Sequence, residues 1–331
     1  MQRAIEHIHQ AIHFGEKAGN QQVLGIARRQ LGSVMVAGGQ IDQAIDYMQA
    51  SLRINQSIGK LDEIAVSQIV LGGTLGIEGR FVEALEGLNA ANLFFEQYEV
   101  INMHAICLSY RSHILCRLGR YEAGWQDAKQ SEQLAQRSDD RLAKELASMA
   151  LAYAAAALGQ YDLALEHAHK AVSSLKESQN SFYLGIACLH CGEILLRLDR
   201  ADMAAEVFRE ALQIYKALED QGSITLAKSG LLRALMCLNA SSNEVDDLLF
   251  DIETYVEGNP QLKNLRYPLS LCLHLYHALA DRDPQNAVRY LKIGEGLIER
   301  RASQIADKAD LERYWQQAFK VGEILNLLKS K

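Results

Sequence analysis

Proline is scarce in this chain of 331 residues: Pro260, Pro268 and Pro284 are all there is, and all lie in the last third. The first 259 residues therefore lack the strongest helix breaker, as a helical array with short turns would. Long apolar runs are also missing. The longest uncharged stretch, Leu146 to Tyr161, is Ala-rich and shorter than the ~20 residues a membrane helix needs. No basic excess exists: the net charge is −7 and the pI about 5.8, which argues against nucleic acid as a direct partner. No block of like charge reads as an interaction tail. The opening residues, Met1 to Glu6, hold no apolar signal-peptide core. Six cysteines (107, 116, 188, 191, 237, 272) sit in apolar helical stretches and read as reduced core thiols in the cytoplasm.

Catalytic motifs are lacking too. There is no GxxxxGK phosphate loop and no GxGxxG following a strand pattern. The histidine groups His7/His9/His13 and His167/His169 are spaced by two or four without a convergent carboxylate set, which suits solvated helix faces better than a metal site. Cys188 and Cys191 form one C-x-x-C without a second pair, which reads as two small hydrophobes on a helix face. Cys107 and His113 are six residues apart on a helix, too far for a nucleophile and its base. The expectation is therefore a protein with no enzyme activity, no cofactor and no metal.

What the chain does have is a period of forty. Leu31-Gly32, Gly39-Gln40-Ile41 and Ala44 return as Leu71-Gly72, Gly79-Arg80-Phe81 and Ala84. The tail of the motif recurs as Gly119-Arg120-Tyr121 with Gly124, and as Gly159-Gln160-Tyr161 with Ala164. It fades through Asp199-Arg200-Ala201 with Ala204 and is last visible at Asn239. A fixed period of this size means stacked supersecondary units, each burying its apolar face on its neighbours. In the sample 23–60, Val23, Ile26, Ala27, Leu31, Val34 and Met35 recur at helical spacing. Gly38-Gly39-Gln40 breaks that helix, and Ile41, Ala44, Ile45, Met48 and Leu52 open another. Each unit is thus helix A, a short turn, helix B and a polar turn. Gly32, Gly72 and Gly192 let helix A approach its neighbour closely, and Ala44, Ala84, Ala164 and Ala204 do so for helix B.

Leu-Gly, six residues, then Gly-x-aromatic-x-x-Ala resembles the tetratricopeptide repeat over residues 1 to 300. The tryptophan usual in helix A is replaced by Arg28, Gln68, Leu108, Ser148, Cys188 and Lys228, and the closing proline is missing. With a period of forty instead of thirty-four, the chain looks like the long-helix subclass, to which Leu-Gly-Asn polarity adaptors, Rap-type peptide sensors and the maltotriose-responsive activator belong. HEAT repeats share the period but typically carry a proline in helix A. The stretch Leu297-Ile298, Ile305-Ala306-Asp307, Leu311 to Trp315 and Ile324-Leu325 is similar to the closing segment of bacterial regulators in which a switch ATPase precedes such repeats.

The resemblance implies an all-α, right-handed superhelix of about seven helix pairs. The expected organisation is a lone B helix over 1–22, six repeats over 23–259, an irregular seventh over 260–302 and a capping helix within 303–331. That last helix is expected from about Asp310, carrying Leu311, Trp315, Phe319, Ile324 and Leu328. The register opens at a B helix whose A helix is absent, which suggests a chain cut from, or fused within, a longer protein. Each unit is expected to touch only its neighbours.

In such arrays helix A lines the concave side. By register, the first inner position is Ser33, Gly73, His113, Tyr153, Glu193, Arg233 and His274, and the second includes Arg117 and Arg197. The expected partner groove comprises Ser33, Tyr110, His113, Arg117, Tyr153, Glu193, Arg197, Arg233 and His274. Three arginines at positions that are usually apolar need water or a partner. They suit an acidic protein or peptide, unless Glu193 neutralises them internally or the face is merely solvated. The carboxylate clamp of chaperone-binding repeats is absent, because no Asn occupies the first position. Two other functions stay open: a small-molecule sensor, such as one for an oligosaccharide, with Tyr110, Tyr153 and Tyr267 on the inner wall, and a spacer or oligomerisation scaffold.

Overall fold

The turn between the helices of a unit sets the architecture. In the computed structural model, which describes residues 2–240, 242–318 and 320–330, Gly39, Gly79, Gly119 and Gly159 have φ between 74° and 89°. Asp199 and Asn239 hold the same left-handed conformation where the glycine has been lost, at φ 56° and 52°. This conformation lets the next backbone N–H reach back and satisfy a helix-end carbonyl. Gln40 N–H thus donates to the Met35 carbonyl at 2.8 Å, Arg120 to Leu115 at 2.9 Å and Arg200 to Leu195 at 2.9 Å. At the outer turns, Asn20, Asp140, Asn180 and Asp220 cap the next helix by accepting from backbone N–H groups three residues on.

The result is all-α: seventeen helices among the described residues, following one another as antiparallel pairs. The A helices are α2 (Gln21–Ala37), α4 (Leu61–Glu78), α6 (Ile101–Arg117), α8 (Arg141–Ala157), α10 (Ser181–Arg197), α12 (Gln221–Cys237) and α14 (Pro268–Leu279). The B helices are α1 (Gln2–Ala18), α3 (Ile41–Ser57), α5 (Phe81–Gln97), α7 (Tyr121–Gln136), α9 (Tyr161–Ser178), α11 (Ala201–Leu218), α13 (Ser242–Gly258) and α15 (Pro284–Ala302). Two short helices follow, α16 (Lys308–Gln317) and α17 (Val321–Lys329). None is long and apolar enough to cross a membrane among the described residues.

Within a unit the helices touch where side chains are smallest. A Cβ placed on Gly72 would lie 2.8 Å from Leu88 Cγ and 3.2 Å from the Ala84 carbonyl, and one on Gly192 would lie 2.6 Å from the Phe208 ring. Ala44, Ala84, Ala164 and Ala204 are fully buried opposite.

Units do not touch only their neighbours. The array winds far enough for its first units to meet its last: Asp42 N–H donates to the Asn264 side chain at 3.2 Å, and Gly39 abuts the Asp220 carboxylate. Tyr110 of α6 reaches Tyr183 of α10, hydroxyl to hydroxyl, at 2.7 Å. The C-terminal helices cover the last unit, with Ile324 of α17 seated against Gly294 of α15, and also fold back into the concavity. Arg120 forms a bidentate pair with Asp310, and Tyr314 packs on Phe81 with ring centroids 6.2 Å apart. Arg197 pairs with Glu323.

That location explains a second departure. The expected single terminal helix is instead two, α16 ending at Gln317 and α17 opening at Val321, with Lys320 at φ 70°. The break turns the Lys320 ammonium inward to Glu193 at 2.8 Å. Leu311, Trp315, Ile324 and Leu328 all pack on the core; Phe319 lies outside the described residues. Cys237 is likewise not a core thiol. It ends α12 and is exposed, while the other five cysteines are buried.

The tight contacts within units carry a prediction. Gly72→Leu and Ala164→Leu should each destabilise by about 1–3 kcal/mol through overpacking, read as a lowered denaturation midpoint. Unchanged midpoints in both would mean that the helices do not meet at these residues.

Candidate functional site

The interior of the coil is narrow, and polar side chains fill it. Three connected spaces run along the axis. The outermost, about 1170 Å³, opens at the N-terminal mouth among Ser33, Val34, Val70, Thr74 and Phe182. The next, about 640 Å³, lies among Tyr110, His113, Tyr183, Arg266 and Tyr267. The innermost, about 860 Å³, is walled by Phe81, Tyr153, Glu193, His274, Arg301 and Tyr314. Arg117, His190 and Tyr267 border both inner spaces.

The inner positions assigned by register converge in most cases. Gly73 leaves room for the Tyr110 ring to cross the axis, since a Cβ there would lie 2.5 Å from it. His113 packs against Tyr153 at 4.2 Å, Tyr153 against His190 at 5.0 Å, and His190 against Tyr267 at 5.1 Å, giving a continuous aromatic stack. Ser33 stays exposed at the mouth, its hydroxyl donating to the Arg29 carbonyl. Arg233 is the exception: it lines none of the three spaces, and Arg266 and Tyr267 occupy the axis at that level.

The charges are largely answered from within. Glu193 lies 2.8 Å from Lys320 Nζ and 3.0 Å from His274 Nε2. Burial alone would raise its pKa, yet these two partners together hold it well below the usual carboxylate range. Arg197 is neutralised by Glu323, which also sits 3.3 Å from His277 and is held at a pKa of about 2. Glu193 thus does act as an internal counter-charge, directly for Lys320 and His274 and at longer range for Arg197, whose own partner is Glu323. Arg117 donates to the Gly76 carbonyl and lies over the Phe81 ring at 4.8 Å; burial, then Arg301 nearby, lowers its pKa to about 10.

Some polar atoms keep no partner. Among the described residues, His113 Nε2, His190 Nδ1 and Arg266 Nε are buried without a hydrogen bond. His190 Nε2 does meet the Tyr267 hydroxyl at 2.9 Å. Burial drives His113 well below the ordinary histidine value and His190 to about 3, so both are neutral near pH 7. The Cys188 and Cys191 thiols are pushed up to about 12 and 11 by burial, which suits inert core residues. Among the described residues no group of three or more His, Cys, Asp or Glu side chains converges as metal ligands would.

Register reasoning missed His190, Lys320, Arg266, Arg301 and Tyr183. His190 stands three residues before Glu193, on the same helix face, as Tyr110 stands before His113. Extending the inner face by one turn would have found it. The others come from segments that carry no repeat signature, or from the opening turn of α10.

These features define a tetratricopeptide-like helical repeat protein with an occupied axis. No protein-family model matches the chain, and no curated protein matches it in sequence. Among solved structures it is similar to the apo form of RapI, at 13% identity and TM-score 0.53 over 92% of this chain and 99% of that one. It is similar to a Rap protein complexed with competence and sporulation factor, at 13% identity and TM-score 0.56 over 92% and 98%. A third, the Rap conjugation gene regulator of plasmid pLS20 in complex with a Phr peptide, gives 12% identity and TM-score 0.67 over 88% and 80%. At such identities the likeness is one of fold.

The buried neutral histidines make stability depend on pH. Their folded pKa values lie below the unfolded value near 6.5, so below that pH the unfolded chain binds protons the native state refuses. Stability is complete above about pH 6.5 and falls as the medium is acidified, by up to about 1.4 kcal/mol per pH unit for each such histidine. His190→Gln should flatten the fall of denaturation midpoint between pH 6.5 and 5. An unchanged slope would place His190 in contact with solvent.

Proposed function

We propose that this chain is a non-enzymatic binding module that recognises a protein or peptide, serving as the sensor or partner-binding arm of a bacterial cytoplasmic regulator. The observation that carries the reading is the open groove at the N-terminal mouth. Its walls, Val34, Val70, Ile77 and Phe182, are apolar, while Ser33, Thr74, Tyr110 and Tyr183 add hydrogen-bonding groups. Such a surface accepts side chains of an extended segment or an amphipathic helix, with several modest contacts adding up to useful affinity. Of the similar structures, one is a complex with competence and sporulation factor and another a complex with a Phr peptide, which supports the same use of the fold here.

An acidic preference rests on Arg266 at the inner end of this groove, whose Nε has no partner among the described residues. Arg197 contributes to a partner only if its pair with Glu323 opens, and Arg233 stands away from the groove. Photo-crosslinking in cells tests the reading. A benzoylphenylalanine at position 33 should yield a defined covalent adduct, and one at the exposed Asp202 of helix α11 should not. Adducts from position 202 alone would move the interface to the B-helix face.

A further inference from the structure

Three arginines are buried among the described residues, Arg117, Arg266 and Arg301, exposed by 8%, 8% and 6%. All three border the axial spaces. None has a carboxylate within ion-pair distance among the described residues, although the other buried or half-buried charges of the axis are paired. A guanidinium cannot shed its proton as a buried lysine can, so each stays charged without a counter-ion; Arg117 keeps a hydrogen bond to the Gly76 carbonyl, and Arg117 and Arg301 the face of Phe81. Two of the three share one place: the guanidinium carbons of Arg117 and Arg301 stand 4.8 and 5.8 Å from the centroid of the same Phe81 ring, in the wall of the innermost chamber.

We propose that the innermost chamber is a binding site for a small organic anion, its acid group held between Arg117 and Arg301 and its flat body against the Phe81, Tyr153 and Tyr267 rings. Two guanidinium groups offer parallel N–H donors that match the oxygens of a phosphate or carboxylate. The same three rings line the chamber, whose non-atom space, about 860 Å³ with the open solvent at its mouth included, borders both guanidinium groups. His190 Nδ1 is a further buried polar atom on the same wall without a partner. Glu78 feels the charge of Arg301 but lies outside ion-pair range, and burial raises its carboxyl, so it does not serve as the missing counter-ion. The chamber shares no lining residue with the mouth groove, from which the middle space divides it, and its ligand does not depend on a protein partner.

The probes are phenyl phosphate, benzoate and neutral benzyl alcohol, added at matched ionic strength to the full chain and followed by thermal melting. One of the two anions at saturating concentration should raise Tm by about 2–4 °C, and benzyl alcohol should not. The stronger anion then identifies the acid group as phosphate or carboxylate. Arg301→Met should abolish the anion-dependent rise. It should leave the Tm of the unliganded protein unchanged or higher, because it removes an uncompensated charge. No rise with either anion, an equal rise with benzyl alcohol, or a rise retained in R301M would overturn the proposal. So would a large drop in the unliganded Tm of R301M, which would show the charge to be structural.

Discussion

Each unit must end helix A in a left-handed residue and seat that helix on helix B where side chains are smallest. These two requirements fix nearly the same rotation between successive units, and the rotation accumulates. After five units the chain has come round far enough for Gly39 to meet Asp220 and for Asp42 to bond Asn264. A coil wound this tightly leaves an axis too narrow to remain an open trough. Its inner face becomes interior, and the polar residues on it have to be answered by other residues of the chain or by something bound.

The C-terminal segment supplies most of the answers. Lys320 meets Glu193, Glu323 meets Arg197, and Asp310 meets Arg120, each pair joining an irregular late element to a regular early one. Removing one member of such a pair costs more than the pair contributes, because a charge is then stranded. The array is therefore clamped across its turn, which couples units that an open solenoid would leave independent. What stays without a counter-charge or a hydrogen bond on the axis includes the guanidinium groups of Arg117, Arg266 and Arg301 and one nitrogen each of His113 and His190, and that polarity marks the part of the axis suited to a ligand.

Much of the fold was legible because its causes are local. The left-handed turn and the small-residue contact repeat every forty residues, and even Asp199 and Asn239 keep the backbone conformation after losing the glycine. The same register placed His113, Tyr153, Glu193 and His274 on the axis. It failed for Arg233, because the stretch before α14 leaves the repeat and puts Arg266 and Tyr267 there instead. Lys320, Arg301 and Asp310 could not be read at all: their place depends on where a full turn of superhelix brings distant segments together. A period in sequence reports the step between neighbours, not whether the accumulated steps close.

The clamped coil requires the C-terminal segment to lie inside it, and the Glu193–Lys320 pair reports that most directly. A double-mutant cycle with Glu193→Gln, Lys320→Met and the double variant measures their coupling in the denaturation free energy. A segment seated on the axis predicts a coupling of about 1–3 kcal/mol, with each single variant less stable than the double variant would suggest by addition. Additive effects, with no coupling beyond error, would place Lys320 away from Glu193 and leave the coil open.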